Sequence, residues 1–230
     1  MLPGGAFLMG QKDGRDDERP VHRVTLAPFR LSRLPVTNAD FAAFRPFEFT
    51  DAALPVTSVS WFQATEYCAW LSSQWGIGLR LPTEAEWEFA ARGGLDGATY
   101  AWGEAFAPQG RAMANIWQGR FPWENLKLDG YEGTSPVDAF PANGYGLYDM
   151  IGNVWEWTAT LFTTSGAETS KKSCCVPDES GGHIARRVVK GGSHLCAPSY
   201  CLRYRPAARQ GEAVDTSTCH IGFRCVVRGG

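Results

Sequence analysis

Three stretches of the chain repeat apolar residues with the three- to four-residue period of a helix. Each begins with a hydroxyl residue followed three positions later by a carboxylate or amide, which is the spacing of a capping box: Thr37 with Asp40, Ser60 with Gln63, and Thr83 with Glu86. The apolar stripes that follow are Ala64, Tyr67, Cys68, Leu71 and Trp75, and then Trp87, Ala90 and Ala91 before Gly93 and Gly94. The pattern predicts three short helices, each with one buried face.

Alternation with a period of two is less common in this chain. It predicts strands at residues 21–26, 187–190 and 223–227. From about Gly94 to Arg186 neither period is present, and frequent Gly, Pro and Trp predict a long system of loops. Compact domains rarely hold so much irregular chain, so we expect these loops to bind or catalyse, with metal ions tying them together.

Composition narrows the possible partners. The chain has 230 residues, 44% of them hydrophobic, which is typical of one globular domain spanning residues 1–230. Lys and Arg number 22 against 24 Asp and Glu, so no large basic field is available for a nucleic acid backbone or an anionic membrane. No stretch approaches the roughly 20 apolar residues of a membrane span. We therefore expect neither nucleic acid nor membrane as a partner.

The seven cysteines pose a chemical question, because an odd number cannot all pair within one chain. The first ten residues lack the pattern of a secretory signal, so a reducing, cytoplasmic location is expected. Cys196 and Cys201 are separated by four residues in a loop containing Gly and Pro. Two thiolates on one loop suit Cu(I), which accepts two sulfur ligands and keeps room for a third. A small disulfide loop, or inert buried thiols, is the structural alternative.

Three further groups of residues have both a functional and a structural interpretation. Oxygen-bearing side chains in loop-like chain suit Ca²⁺ or ordinary turns and caps: Asn115, Asp129, Asp138, Asp149, Asn153 and Glu156. Trp155 and Trp157 are typical of core aromatics. The acidic residues 16–18 predict a solvated turn, or a cluster that receives a substrate arginine.

Taken together and in order, segments along nearly the whole chain resemble the formylglycine-generating enzymes, or sulfatase-modifying factors. The clearest are residues 4–10, 80–88, 114–119, 143–148, 152–158, 191–193 and 222–225. Most of these segments are shared with a wider superfamily that includes binding proteins. Both cysteines in the setting Gly-Gly-Ser-x-x-Cys-x-x-x-x-Cys are expected only in the formylglycine-generating branch. The resemblance implies an α+β, C-type-lectin-like fold that is rich in loops and low in regular secondary structure.

The resemblance also implies an activity: O₂-dependent oxidation of a cysteine in an unfolded peptide, such as the Cys-x-Pro-x-Arg motif of a sulfatase, to Cα-formylglycine. Cys196 and Cys201 would hold Cu(I), with Ser193 and Trp155 on the oxygen and substrate side. Tyr200, Ser217 and His220 would line the substrate pocket. Two alternatives remain: a non-catalytic lectin-like binding module, and a related copper oxidase with a substrate other than a sulfatase.

Structural calcium is implied as well. One site would comprise Asn115, Ile116, Asp129 and Tyr131, and the other Asp149, Gly152 and Val154. Cys68 and Cys225 stand where relatives form a disulfide, and a close thiol pair is expected there. Residues 45–54 form a shorter segment than in many relatives, and His220 stands where those relatives often have Asn. These departures concern the substrate rather than the cofactor. Cys174, Cys175 and Cys219 have no assigned role.

Overall fold

The computed structural model describes residues 1–163, 184–198 and 200–227. Cys174 and Cys175 lie outside the described residues. Within the described ranges, no helix has both the length and the apolar character needed to cross a bilayer.

Three helices begin where the capping boxes predict. They are α1 (Asn38–Phe44), α2 (Trp61–Trp75) and α3 (Glu84–Arg92). In each, the hydroxyl of the N-cap residue accepts the third backbone N–H, and the third side chain accepts the N–H of the cap in return. α2 and α3 end at Gly76 and Gly93, which adopt the left-handed conformation with φ of 66° and 58°. The predicted helix starts are confirmed.

Two expectations about the buried faces are wrong. Trp75 is 63% exposed, because the last turn of α2 extends beyond the core that covers Ala64, Tyr67 and Cys68. α3 is buried all round instead of on one face, because it packs against three strands described below, one on one side and two on the other. Its polar residues are therefore buried together with Trp87.

The strands form three small sheets. β1 (Gly5–Met9) pairs antiparallel with β2 (His22–Leu26). β3 (Arg30–Leu31) and β4 (Leu79–Arg80) pair antiparallel with the two sides of a later strand, Val226–Val227. The largest sheet contains β5 (Trp155–Leu161), β6 (Arg186–Lys190), β7 (Arg209–Ala213) and β8 (Ile221–Gly222), in the order β7-β6-β5-β8. Val226–Val227 is β9. α3 packs on β1 and on the β5–β6 part of the largest sheet.

The strand predictions are partly confirmed. Strands are present at residues 22–26 and 186–190, whereas only the last two residues of the strand expected at 223–227 form one, β9. Residues 223–225 have no regular structure, because they connect β8 in one sheet to β9 in another. The strand β5 was missed, because residues 94–186 were expected to be loop. Both faces of β5 are buried over its first four residues, so its sequence lacks alternation. Residues 93–154, all of them described, do form the predicted loops, with one short 3₁₀ turn at Pro108–Gly110.

The expected close thiol pair is confirmed. Cys68 on α2 and Cys225 just before β9 are both buried, and their Sγ atoms are 3.5 Å apart. The pair joins α2 to the end of the described chain across 157 positions of sequence.

Candidate active site

The two cysteines of interest lie on a tightly folded loop that follows β6. Gly191 and Gly192 open the loop with φ of 95° and 72°. A Cβ on Gly192 would lie 2.9 Å from the carbonyl oxygen of Arg203, so glycine is required where the start of the loop meets its end. The N–H of Cys196 then donates to Ser193 O at 2.8 Å, and Ser193 N lies 3.5 Å from Cys196 Sγ.

A second turn brings Cys201 back beside Cys196. The carbonyl oxygen of Ala197 accepts the N–H groups of Tyr200, Cys201 and Leu202 at 3.1, 3.0 and 3.3 Å. As a result, the two thiols lie within hydrogen-bonding reach of each other. Cys196 is buried and Cys201 is partly exposed, so one sulfur lies at the base of the site and the other faces outward.

The pair is electrostatically asymmetric. The hydrogen bond to Cys201, together with burial, raises the pKa of the Cys196 thiol. The same hydrogen bond lowers the pKa of Cys201, despite its partial burial, and backbone N–H groups and the charge of Arg203 lower it further. The outward-facing sulfur is therefore the one that loses its proton first.

Aromatic side chains form one wall beside the thiols. Tyr200 is 71% exposed and stacks on Phe121, with ring centroids 4.8 Å apart. Phe121 makes an edge contact with Trp117 at 5.1 Å, and Trp117 N donates to Cys196 O at 3.1 Å. Sequence reasoning missed Trp117 and Phe121, because aromatics in a loop about 80 positions from the cysteines carry no local signal of this contact.

The start of β5 forms the other wall. The carbonyl oxygen of Asn153 accepts the backbone N–H of His194 and lies 2.9 Å from His194 Nδ1. Trp155 is buried, and its backbone N–H donates to His220 O at 2.9 Å. Burial lowers the pKa of both His194 and His220, so both imidazoles are neutral at pH 7. Ser217 is exposed in the loop that precedes β8.

The acidic turn at Asp16–Glu18 is solvated at Asp16, as expected, but not at Glu18. Glu18 is buried, and its Oε1 and Oε2 accept hydrogen bonds from Arg205 Nη2 at 2.8 and 2.9 Å. The expectations of a solvated turn and of a cluster that receives a substrate arginine are therefore wrong for Glu18. An arginine of the same chain occupies its carboxylate.

The residues of the first candidate calcium site lie together. Asp129 Oδ2 accepts hydrogen bonds from Ile116 N at 3.0 Å and Gln118 Nε2 at 2.7 Å, and Asp129 Oδ1 accepts one from Tyr131 N at 3.0 Å. Ile116 O lies 2.6 Å from the same Gln118 Nε2. The side chain of Asn115 instead donates to Gly133 O. Two acceptor oxygens thus converge on the amide nitrogen of Gln118, and they are part of the six to eight oxygens that Ca²⁺ would take.

The second candidate site contains an unusual carboxylate. Asp149 is buried, has φ of 51°, and among the described residues its Oδ2 has no hydrogen-bond partner. Burial raises the pKa of Asp149 to about 7, against the lowering effect of Arg224. Gly152, with φ of 80°, packs against Asn115 O and so links the two candidate sites. A cation would satisfy the unpartnered oxygen.

Asn153 and Glu156 do not extend these oxygen clusters. Asn153 Oδ1 and Nδ2 bond to the backbone of Ser135, and both Glu156 oxygens bond to Arg224. Within the described ranges, no three His, Cys, Asp or Glu side chains converge on one metal position. Any metal held here would therefore use two thiols, or carboxylates together with backbone carbonyls.

Comparison with known proteins establishes the family. Residues 1–229 match the family described as the sulfatase-modifying factor enzyme 1-like domain. The chain belongs to the sulfatase-modifying factor family. The predicted resemblance and the α+β, C-type-lectin-like, loop-rich fold are thereby confirmed.

Within the sulfatase-modifying factor family, the chain is 41% identical to the formylglycine-generating enzyme of Mycobacterium tuberculosis, over 98% of this chain and 96% of the relative. That alignment spans 293 positions, more than the 230 residues of this chain, so the relative has extra residues inside the matched region.

Similarity within the family does not separate active from inactive members. The mouse protein named inactive C-alpha-formylglycine-generating enzyme 2 is 37% identical over 100% of this chain and 85% of its own length. The solved structure of PvdO from Pseudomonas aeruginosa superimposes with a TM-score of 0.78 at 28% identity, covering 99% of this chain and 93% of that one. A functional assignment must therefore rest on the site itself.

Proposed function

We propose that this chain oxidises a cysteine of an unfolded peptide to Cα-formylglycine, and that its substrates are sulfatases. The observation that carries the proposal is the Cys196–Cys201 pair, with one buried and one outward-facing sulfur in reach of each other. Family membership and the name of the Mycobacterium tuberculosis relative support the reaction. The inactive mouse relative makes the thiol pair, rather than the fold, the deciding feature.

The donor set favours Cu(I) as the cofactor. Two thiol sulfurs suit a soft monovalent ion and leave part of its coordination shell open. When bound there, Cu(I) supplies one-electron chemistry with O₂ and a position for the substrate thiolate. The cytoplasmic location expected from the sequence stays a prediction.

The proposed reaction balances with one external reductant. The substrate loses one hydrogen from Cβ and one from its thiol, together with two electrons. Water then replaces sulfur in the resulting thioaldehyde, which releases H₂S and leaves the aldehyde. Two further electrons come from a thiol reductant, so that O₂ accepts four electrons in all. One peptidyl cysteine, one O₂, two electrons and two protons thus give one formylglycine, one H₂S and one water.

The residues around the thiols have complementary roles in this proposal. Ser193 N lies within reach of Cys196 Sγ and orients that inner sulfur. Tyr200 and Phe121 offer a flat apolar surface to the substrate peptide. Trp155 is buried at the start of β5 and holds the backbone of His220 through its own backbone N–H. The neutral imidazole of His220 and the exposed hydroxyl of Ser217 face the peptide as hydrogen-bonding groups.

A peptide assay tests the proposal. Protein supplied with Cu(I), O₂, dithiothreitol and a Cys-x-Pro-x-Arg peptide should yield an aldehyde. Mass spectrometry would detect it as the change in peptide mass when the CH₂–SH group of the cysteine becomes CHO. Cys196→Ala and Cys201→Ala should abolish the product, whereas Cys219→Ala, at an exposed thiol that is not part of the pair, should not. A lectin-like binding module would give no aldehyde and would bind no stoichiometric Cu(I).

One observation favours a related oxidase with a different peptide as the second candidate. The carboxylate of Glu18, expected to help receive a substrate arginine, is already paired with Arg205. A parallel assay with the arginine of the peptide changed to alanine separates the candidates. Equal turnover of both peptides would contradict recognition of the sulfatase motif and leave the oxidase chemistry intact.

We also propose that the two oxygen clusters bind Ca²⁺. The convergence of Ile116 O and Asp129 Oδ2, and the unpartnered Asp149 Oδ2, support these sites. Calorimetric titration of chelator-treated protein should give two Ca²⁺ per chain, and EGTA should lower the Tm of the calcium-loaded form. Asp149→Asn should remove one equivalent of bound Ca²⁺, whereas Asp96→Asn, at an exposed carboxylate, should remove none. Absence of any binding heat would contradict both sites.

A further inference from the structure

We infer that the buried ion pair between Glu18 and Arg205 positions Cys201, which makes these two distant residues positioning residues of the thiol site. This inference rests on the proposed function for its chemical meaning. Its geometric content, that the turn at Asp16–Glu18 fixes the segment following Cys201, stands on contacts within the chain.

Arg205 connects three parts of the molecule through one buried guanidinium. Its Nε donates to Leu202 O at 2.9 Å, and its Nη2 donates to both oxygens of Glu18. Its Nη1 donates to Gln11 Oε1, so the turn is held at two points. Because Arg205 and Glu18 are both buried, each charge depends on the other for its stabilisation.

The segment held by Arg205 is in a conformation that its own sequence disfavours. Leu202, the residue after Cys201, has φ of 43°, in the left-handed region. This leucine is 43% exposed, so only part of its side chain is buried to offset the strain. The hydrogen bond from Arg205 Nε to Leu202 O compensates, because it fixes the peptide that reverses the chain directly behind Cys201.

The turn that presents Glu18 is itself closely packed. Gln11 N donates to Glu18 O at 3.2 Å, and Glu18 N donates to Arg15 O at 3.0 Å. A Cβ on Gly14 would overlap Glu18 Oε2, whereas Gly14 itself has no left-handed φ that would demand glycine. Gly14→Ala therefore displaces the carboxylate from Arg205, since the displaced atom is the end of a flexible side chain. The carbonyl oxygen of Gln11, 3.1 Å from the new Cβ, has to move by only a few tenths of an ångström.

The test compares two variants with two matched controls. Glu18→Gln removes the charge, and Gly14→Ala moves the carboxylate. Glu86→Gln is the first control, because Glu86 also binds an arginine, Arg80, with both oxygens but lies on α3. Gly133→Ala is the second, since its Cβ would meet no atom within 4 Å and its φ is not left-handed. Thermal unfolding of all four proteins establishes that they are folded.

Two readouts report the position of Cys201. In metal-free protein, the rate of iodoacetamide labelling at Cys201 is divided by the rate at exposed Cys219, with mass spectrometry resolving the two sites. Cu(I) affinity is measured by competition with bathocuproine disulfonate. We expect both variants to raise the labelling ratio and to weaken Cu(I) binding by about 10–100-fold. Losses of that size are typical when a residue that orients a metal ligand is removed. Both controls should leave the two readouts unchanged.

The outcomes separate this inference from the proposed function. If the wild type binds no Cu(I), the proposed cofactor fails, but the labelling ratio still decides whether Glu18 positions Cys201. If Gly14→Ala is folded and its labelling ratio equals that of the wild type, the inference is overturned, and Glu18–Arg205 has only a structural role. If Glu18→Gln does not fold, Gly14→Ala gives the result alone.

Discussion

Asn153 connects more of the site than any feature of its own sequence suggests. Its φ is 58°, its carbonyl oxygen holds His194, and its side chain bonds to both backbone groups of Ser135. Its backbone N–H donates to Asn115 O at 2.8 Å. A single buried residue thus joins the loop carrying Cys196 to the loops of both candidate calcium sites.

Replacing Asn153 should weaken the whole site. Asn153→Ala leaves two buried backbone groups of Ser135 unpaired and places a Cβ-bearing residue without side-chain hydrogen bonds in the left-handed region. We expect a loss of about 3 kcal/mol in the free energy of unfolding, measured by urea denaturation. Asn153→Gly, which relieves the backbone strain but loses the same bonds, should lose less. A wild-type midpoint for the alanine variant would contradict this role.

At the scale of single residues, sequence reasoning found side chains whose partners are near in sequence. Cys196 and Cys201 were found because they share one loop. Asp149 was found among the oxygen-bearing side chains of loop-like chain, and the family resemblance then assigned it to a calcium site. Glu18 was misjudged because its partner, Arg205, is 187 positions away. No local pattern distinguishes a carboxylate destined for burial from one that stays in solvent, since the difference depends on tertiary packing.

At the scale of elements, α3 shows how a polar helix face can be buried. Glu88 accepts hydrogen bonds from Lys190 Nζ at 2.9 Å and Arg92 Nη2 at 2.7 Å, and Glu84 binds Arg209 through both of its oxygens. Burial raises the pKa of Glu88, but the charges of Lys190 and Arg92 and the N–H of Gly10 outweigh it, so the net pKa is lowered. The helix is thereby ion-paired to β6 and β7.

This arrangement predicts a dependence of stability on acid. Because the pKa of Glu88 is lower in the folded state, its contribution to stability is fully present above the ordinary value of about 4.3 and is lost as pH falls through the folded pKa. Urea unfolding measured from pH 7 to pH 3 should therefore show a falling midpoint below that value.

Two variants test the assignment to Glu88. Glu88→Gln should lower the midpoint at pH 7, because it leaves Lys190 and Arg92 less well compensated, and should flatten the fall in acid. Glu132→Gln, at a fully exposed carboxylate whose pKa is also lowered, by Lys127, should change neither, because solvent screens that pair. Identical acid profiles for wild type and Glu88→Gln would contradict the prediction.

Element boundaries were predicted where the chemistry is local and missed where it is not. The capping boxes at Thr37, Ser60 and Thr83 specify helix starts through bonds within four residues. β5 escaped prediction because both of its faces are buried. Trp155 and Trp157 lie on one face, and Glu156 and Thr158, which have buried polar partners, lie on the other. A polar residue on a buried face conceals the period that identifies a strand.

At the scale of the whole molecule, Cys68 and Cys225 offer a covalent link across most of the chain. Oxidation of this pair should raise the free energy of unfolding by about 2–4 kcal/mol. The disulfide would close a loop between α2 and β9 and so lower the conformational entropy of the unfolded chain. The measurement is urea unfolding of wild type before and after mild oxidation, with Cys68→Ala as the variant that cannot respond. Equal midpoints in the two redox states of the wild type would contradict the prediction.

The position of β9 has a consequence for how the protein is made. β9 lies between β3 and β4, so two strands from the first third of the chain have no neighbour in their sheet until Val226 and Val227 arrive. β5, at the edge of the thiol site, likewise waits for β8. A ribosome-bound chain still lacking Val227 therefore cannot complete the sheet β3-β9-β4. The sheet at the edge of the thiol site is completed only when Ile221 and Gly222 have left the exit tunnel.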